Sequence, residues 1–405
     1  MDIRELQVTT TQLMGPKLEV LRQRALIAGI AGLVLCGAGY AMGGAAGFYP
    51  GYLIGFLFWV GISGGSLALL MLHHVVGGGW GFLLRRFLEA GTKVFPIVAV
   101  LFIPVVIGMF SGGLYAWNTP AAASDVHIQA KAGYLNPVFW VVRSAIYLLA
   151  WIGMSSWLRK LGDTQNERSD AEISNRLNLG GGVGLILYAI LVTFAAVDWL
   201  LSLTPKWVSS IVGLLGAVSQ TLSALAVFLA LVAFLAGSSA VLRNSVMSKY
   251  FRDLGNLMLA MVMLWAYMSF SQYLITYSGN TVEEAQWYVD RSHAGWHGTG
   301  VALIVFHFAV PFFVLLIGST IKKDPLRLAK VAVAIIAMRW VDLFYWVRPT
   351  FSGQSFAFNL ADLGGILLVG GVWLFFWAKA LENQPVVPLH DPRFQTHLHE
   401  VVSHG

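Results

Sequence analysis

Residues 52–73 read YLIGFLFWVGISGGSLALLMLH, twenty-two consecutive positions without an Asp, Glu, Lys or Arg. A helix of about 20 apolar residues crosses the roughly 30 Å of bilayer hydrocarbon. This run is therefore read as a membrane span. Nine further runs of the same kind lie on either side of it, at 24–42, 94–114, 137–158, 180–203, 208–236, 254–277, 296–318, 328–347 and 359–379. The sequence predicts an all-α integral membrane protein with about ten transmembrane helices. The run 208–236 is longer than the bilayer needs and is expected to tilt or protrude.

Composition points the same way. Hydrophobic residues make up 57% and charged residues 11%, against about 25% charged in a soluble domain. The 43 glycines suit close helix packing in lipid. Residues 1–23 carry Asp2, Arg4, Glu5, Lys17, Glu19 and Arg22. They lack a short apolar core before a small-residue cleavage site, so no cleavable signal peptide is expected.

Basic residues set the orientation. Of the 26 Lys and Arg, 20 fall in the 1–24 segment, in alternate loops and at or beyond Lys379. Four lie on the other side (Lys131, Lys206, Arg291 and Arg348), and Arg143 and Arg339 lie inside spans. By the positive-inside rule, the 1–23 segment and the 380–405 tail are both expected in the cytoplasm of a bacterial inner membrane. The +6 formal charge then reports topology and contact with anionic lipid, not nucleic-acid binding.

Resident redox groups are not expected. Cys36 is the single cysteine, which excludes a thiolate iron–sulfur cluster and a C-x-x-C-H haem attachment. A haem held by two histidines needs them at matching depth. His73 and His74 lie at one helix end, His293 and His297 at the opposite one, and only His307 is deep. His307 reads either as a hydrogen-bonded core residue or as a proton relay, with Tyr267, Ser269 and Ser271 as expected neighbours. His73, His74, Glu89 and Lys93 are expected at a solvated inner surface. The tail histidines His390, His397, His399 and His404 are too irregularly spaced for a metal site.

An internal repeat is visible. Val197-Asp198 is followed by Pro205, and Val341-Asp342 by Pro349, with seven residues from aspartate to proline in each case. Both motifs end outward-running spans, the fifth and the ninth, an even step of four along the chain, so the copies run in the same direction. The expected architecture is two parallel-repeat four-helix bundles, 52–203 and 208–347, flanked by transmembrane helices 24–42 and 359–379. Thr281-Val282-Glu283-Glu284 reads as a capping box that starts a short surface helix running to Arg291.

Charges inside spans cost ~2.5–3.5 kcal/mol each on insertion scales. Arg143 and Asp198 approach the same depth from opposite directions, each ~10 Å below the outer surface at 1.5 Å per residue. Arg339 and Asp342 are three apart on one helix face, and Asp362 lies at similar depth. Two readings stand for these residues: satisfied structural ion pairs, or the lining of a hydrated quinol or proton site.

The chain resembles the NrfD-like family of quinone-interacting membrane subunits. Within it, the likeness is to the ActF-like subunits of alternative complex III, a quinol:cytochrome c oxidoreductase. Three stretches carry it: Asp198-Trp199-Leu200-Leu201-Ser202-Leu203, then Ser271-Gln272-Tyr273-Leu274-Ile275, then Tyr277-Ser278-Gly279-Asn280 through Glu283-Glu284, Trp287-Tyr288, Arg291 and Gly295-Trp296. Val282 stands where the family pattern has proline. The resemblance implies a subunit without covalently bound cofactors, beside other membrane subunits, an iron–sulfur protein and multihaem cytochrome c. Haem c and iron–sulfur clusters would then sit on those partners. It also implies a quinone or quinol pocket in the first bundle near Arg143 and Asp198. Three functions stay open: a subunit contributing to quinol binding or proton conduction, a purely structural scaffold, and an independent secondary transporter.

Overall fold

The computed structural model describes residues 3–167, 171–236 and 245–382. The tail histidines, and the expected cytoplasmic tail beyond Glu382, lie outside them. Among the described residues every regular element is a helix. Seven of the described helices are long and apolar enough to cross a membrane, or eight if one bent pair counts as a single span.

The first element, α1 (Ile3–Val76), is broken at Gly44, whose φ of 57° and ψ of −148° suit glycine alone. The chain reverses there. Gly29 faces Gly371, Gly32 faces Leu368 and Gly39 faces Ala361 of α16 (Leu360–Leu381) in antiparallel register. Beyond the break, Gly51 faces Ala361 and Gly55 faces Gly365 in parallel register. The two arms of α1 thus run in opposite directions, with α16 packed against both. A Cβ at Gly32, Gly51, Gly55 or Gly365 would collide with the opposing backbone. Three side chains fasten the contact: Trp59 donates to Ile366 O at 2.9 Å, Trp373 to Ser63 Oγ at 2.8 Å, and Arg22 pairs with Glu382 at 2.5 Å.

Gly77 and Gly78, both at positive φ, turn the chain into α2 (Gly79–Lys93). A break at Val94 leads to α3 (Phe95–Leu101) and α4 (Ile103–Phe110), bent by 41° from α2. Pro104 at the start of α4 explains the second break, since proline cannot donate to a preceding carbonyl. The span expected at 94–114 is therefore two short helices. α2 is also not the solvated segment expected: Arg85, Arg86, His73 and His74 are buried, and Glu89 is 8% exposed. Arg85 reaches Glu89 at 2.9 Å and Gln165 at 2.8 Å, and Arg86 reaches Glu89 at 2.7 Å. Trp377 of α16 donates to Phe87 O at 3.1 Å, pinning α2 inside the fold. Lys93 alone of that set stays partly exposed.

The short α5 (Val126–Gln129) begins at Asp125, whose carboxylate caps it and pairs with Lys206 at 2.8 Å. The Lys206 ammonium holds that carboxyl below the usual carboxylate range. Then come α6 (Pro137–Glu167), α7 (Ala171–Trp199), α8 (Val212–Ala236) and α9 (Ser245–Gly279). The over-long run expected from 208 starts as helix only at Val212, because Ser209 Oγ accepts from the Ile211 and Val212 amides.

Helix α10 (Val282–Asp290) forms where expected, but Thr281 makes no side-chain cap bond. The closed capping box lies instead at Asn359 and Asp362, opening α16. α11 (Ala294–Ala302) passes through a π-helical turn, Leu303–Ala309, into α12 (Val310–Ile317). Pro311 cannot donate to His307 O, which accounts for the widened turn. α13 (Ser319–Lys323), α14 (Pro325–Val347) and α15 (Pro349–Ser352) lead to α16. α14 is long enough to span but carries Lys330, Arg339 and Asp342 within its apolar stretch.

Gly365→Val tests the glycine contact. Overpacking against backbone should cost about 3 kcal/mol and lower the unfolding temperature in detergent. Gly37→Ala on an open face should gain about 0.5–1 kcal/mol from helix propensity. Equal stability of the two variants would contradict the packing described.

Candidate functional site

The first charged pair is closed on all sides. Asp198, near the end of α7, is fully buried, and Arg143 of α6 is 6% exposed. The guanidinium meets both carboxylate oxygens, Nε to Oδ2 and Nη2 to Oδ1, each at 2.8 Å. Tyr147, one turn after Arg143, donates to Oδ2 at 2.7 Å. Arg143 Nη1 donates to Tyr134 O at 3.0 Å, and the guanidinium lies 3.7 Å from the Tyr134 ring centroid and 4.2 Å from that of Phe139. Trp140 and Tyr115 donate to Asp198 O and Trp199 O, the last carbonyls of α7. Depth and pairing agree with the sequence. The surroundings are aromatic and tightly packed, with Trp140, Trp151 and Trp199 fully buried around the pair.

The second pair is open on one side. Arg339 Nη1 bonds Asp342 along α14, and Arg339 Nε donates to Ser223 Oγ of α8 at 3.3 Å. Both residues line a cavity of about 70 Å³ with Ser219, Gln220 and Ser223 of α8, Ala195, Ala196 and Trp199 of α7, and Leu57, Phe58 and Gly61 of α1. The cavity therefore lies where the two expected bundles meet. Arg143 and Asp198 do not line it. Tyr188 of α7 donates to Gln220 Oε1 at 2.8 Å, fixing that amide.

His307 is fully buried in the π-helical turn, its ring 4.1 Å from the Trp265 ring centroid. Neither ring nitrogen has a hydrogen-bond partner among the described residues. Of the neighbours expected for it, Tyr267 points away and is 69% exposed. The contact falls instead to Trp265, two residues earlier. His307 is not part of the cavity lining.

Asp362 stands apart from both pairs. One oxygen accepts from the Asn359 amide at 2.7 Å and lies 3.3 Å from Arg348 Nε, closing the N-terminus of α16 onto the end of α14. Arg348 was counted in the sequence only as a loop charge, yet it is 5% exposed. Arg291 is likewise buried, donating to Trp287 O, Tyr345 O and Trp346 O and stacking 3.6 Å from the Trp287 ring.

Three features missed in the sequence had readable signals. Tyr147 is four residues after Arg143, on the same face. Ser219 and Ser223 recur at a four-residue spacing, beside Gln220 and Thr221, in a helix whose remaining residues are apolar or glycine. Trp287 and Arg291 share the same spacing. The His307–Trp265 contact had none, because a π-helical turn shifts the face that follows it. Among the described residues no cluster of His, Cys, Asp and Glu could hold a metal ion.

No protein-family model matches the chain, and no curated protein matches it.

The two pairs should differ in their response to loss of charge. Asp198→Asn leaves Arg143 buried without a counter-charge, at a cost of ~3–5 kcal/mol. Asp342→Asn borders a cavity where water can solvate Arg339, so its unfolding temperature should drop less than half as far. A larger drop for Asp342→Asn in a detergent melt would reverse the assignment of closed and open pairs.

Proposed function

We propose that the chain is a cofactor-free integral membrane subunit of a respiratory quinol:cytochrome c oxidoreductase of the NrfD-like, alternative complex III type. In this reading it spans a bacterial inner membrane ten times, with cytoplasmic ends, and contributes a buried polar site to quinol binding or proton conduction. Its partners are other membrane subunits, an iron–sulfur protein and multihaem cytochrome c, which carry the redox centres.

Several features support the span count. The two arms of α1, the broken α3–α4, α6, α7, α8, α9, α11–α12, α14 and α16 correspond to the ten apolar runs. The parallel repeat is supported by the matched ends of α7 and α14. Each carries a buried aspartate paired with arginine, and each has its last carbonyls bonded by side chains from other elements.

The functional part rests on a single observation: the Arg339–Asp342 pair, with Ser219, Gln220 and Ser223, faces a cavity inside an apolar bundle. Charges at bilayer depth are expensive and mark ligand or proton sites. A scaffold alone would favour the closed form seen at Arg143–Asp198. That pair supports a structural role for the first bundle, and it is the observation that favours the scaffold reading as runner-up.

The test is made in the intact complex. Asp342→Asn should leave haem c and iron–sulfur subunits co-purifying, while quinol:cytochrome c turnover or proton release falls about tenfold or more, within the range of lost acid–base groups. A chain that purifies from its native membrane without such partners would sink the complex assignment. Unchanged turnover and proton release would leave the scaffold. For topology, a reporter in 120–132 should report the periplasm, and one in 159–176 or after Gly405 the cytoplasm.

A further inference from the structure

Several of the inner-side cations are spent inside the protein. Arg22 pairs with Glu382, Arg85 and Arg86 with Glu89, and Arg176 with Glu172, while Lys17 donates to Leu235 O near the end of α8. Six others gather where α9 begins and where α13 leads into α14. Residues 248–256 and 319–330 carry Lys249, Arg252, Lys322, Lys323, Arg327 and Lys330 against two acids, Asp253 and Asp324. All six but Lys322 are exposed. Neither acid closes a tight ion pair. Asp253 lies 4.0 Å from Arg252 and Asp324 lies 3.9 Å from Arg327. Among the described residues no acid pairs with Lys249, Lys323 or Lys330.

Packing holds the patch together. Ser248 Oγ donates to Lys323 O at 3.2 Å, and Lys322 Nζ donates to Asn256 Oδ1 at 2.8 Å. Ser248, Arg252 and Asn256 follow one another at four-residue spacing, so Arg252 stands between those two contacts on one face of α9. Arg327 and Lys330, three apart, share a face at the start of α14. Between the two groups sits Asp324, whose Oδ1 accepts from the Leu326 and Arg327 amides. A single phosphate placed centrally would meet that carboxylate. Two phosphates, one to each side, would meet cations.

Exposed apolar surface adjoins both groups. Leu316 and Ile317 end α12 just before α13, and Val333 follows Lys330 by three residues on α14. Cations at helix ends beside bare apolar side chains suit a lipid, whose phosphate is attracted to the first and whose acyl chains cover the second.

We propose that this patch binds an anionic phospholipid of the inner leaflet that carries two phosphates, a diphosphatidylglycerol. One phosphate meets Arg252 and Lys323, the other meets Arg327 and Lys330, and the hydroxyl of the bridging glycerol donates to Asp324 Oδ2. The inference rests on the membrane reading of the proposed function, but on neither its partners nor its chemistry.

The experiment uses the full chain in detergent, with bound lipid counted by native mass spectrometry. The probes are tetraoleoyl diphosphatidylglycerol and, at matched phosphate, dioleoyl phosphatidylglycerol. The two-phosphate lipid should bind about tenfold more tightly. Arg327→Gln with Lys330→Gln, or Arg252→Gln with Lys323→Gln, should weaken it about tenfold or more, each basic side chain near an anionic headgroup adding several-fold. Arg24→Gln with Lys160→Gln removes as much exposed charge elsewhere on the inner side and should change little. Asp324→Asn keeps the helix cap but removes the central charge, so phosphatidylglycerol should gain and the gap between the two lipids should narrow.

Equal binding of the two lipids by the unaltered chain overturns the proposal, as does unchanged binding in both patch variants. So does an equal loss in the Arg24 and Lys160 variant, which would leave only a general effect of charge. All of these outcomes are read on the isolated chain, so they stand apart from turnover, proton release and the presence of partner subunits.

Discussion

A guanidinium inside an apolar helix bundle must be met on every side, and the buried arginines of this chain meet that constraint in different ways. Arg143 reaches across to a carboxylate on the next helix and is covered by two aromatic faces. Arg348 closes the end of α14 onto the start of α16 through Asp362. Arg291 has no acid within bonding distance among the described residues and takes three backbone carbonyls instead. Two of those are orphan acceptors at the end of α14, where a cation is also favoured by the helix dipole. Helix ends and buried charges thus solve each other's problem. The places where helices stop are fixed as firmly as the places where they cross.

Arg339 is the exception, and the difference is one of geometry. Its acid lies on its own helix, so the pair needs no neighbouring helix to come close. Small residues on α7 and α8 stand opposite, and space remains. Where Asp198 binds α6 to α7 through both carboxylate oxygens, Arg339 reaches α8 only through Ser223 Oγ, and space remains beside that contact. The same motif, Val-Asp with a proline seven residues on, therefore yields a closed contact in one place and a cavity in the other. A ligand or a water chain would need the second arrangement, with polar atoms that protein neighbours have not already taken.

The sequence made the helical class and the charged pairs legible because both depend on short-range rules. Apolar run length predicts a helix able to span, and spacing of three or equal depth predicts a partner. Arg143–Asp198 and Arg339–Asp342 were readable for that reason. Which of the two borders space was not, since cavity and close packing differ only in side-chain volumes on helices distant in sequence, such as Leu57 against Leu343. The burial of α2 was hidden for a related reason. Arg85, Arg86 and Glu89 look like a solvated inner loop until Gln165 and Trp377 are known to lie across from them. The Gly44 reversal was obscured by the run of small residues around it, any of which could have turned the chain.

The clamping of α16 between the arms of α1 has a consequence for biogenesis. The first hairpin enters the membrane with its glycine faces bare, and the helix that covers them is made only after every other described span. Until then the glycine faces at Gly29, Gly32, Gly51 and Gly55 lack the backbone they meet in the finished fold. Closure joins the first and the last of the described spans. A chain stalled before Leu360 would therefore hold the Arg143–Asp198 and Arg339–Asp342 pairs but lack Asp362, Glu382 and the helix that closes the contact.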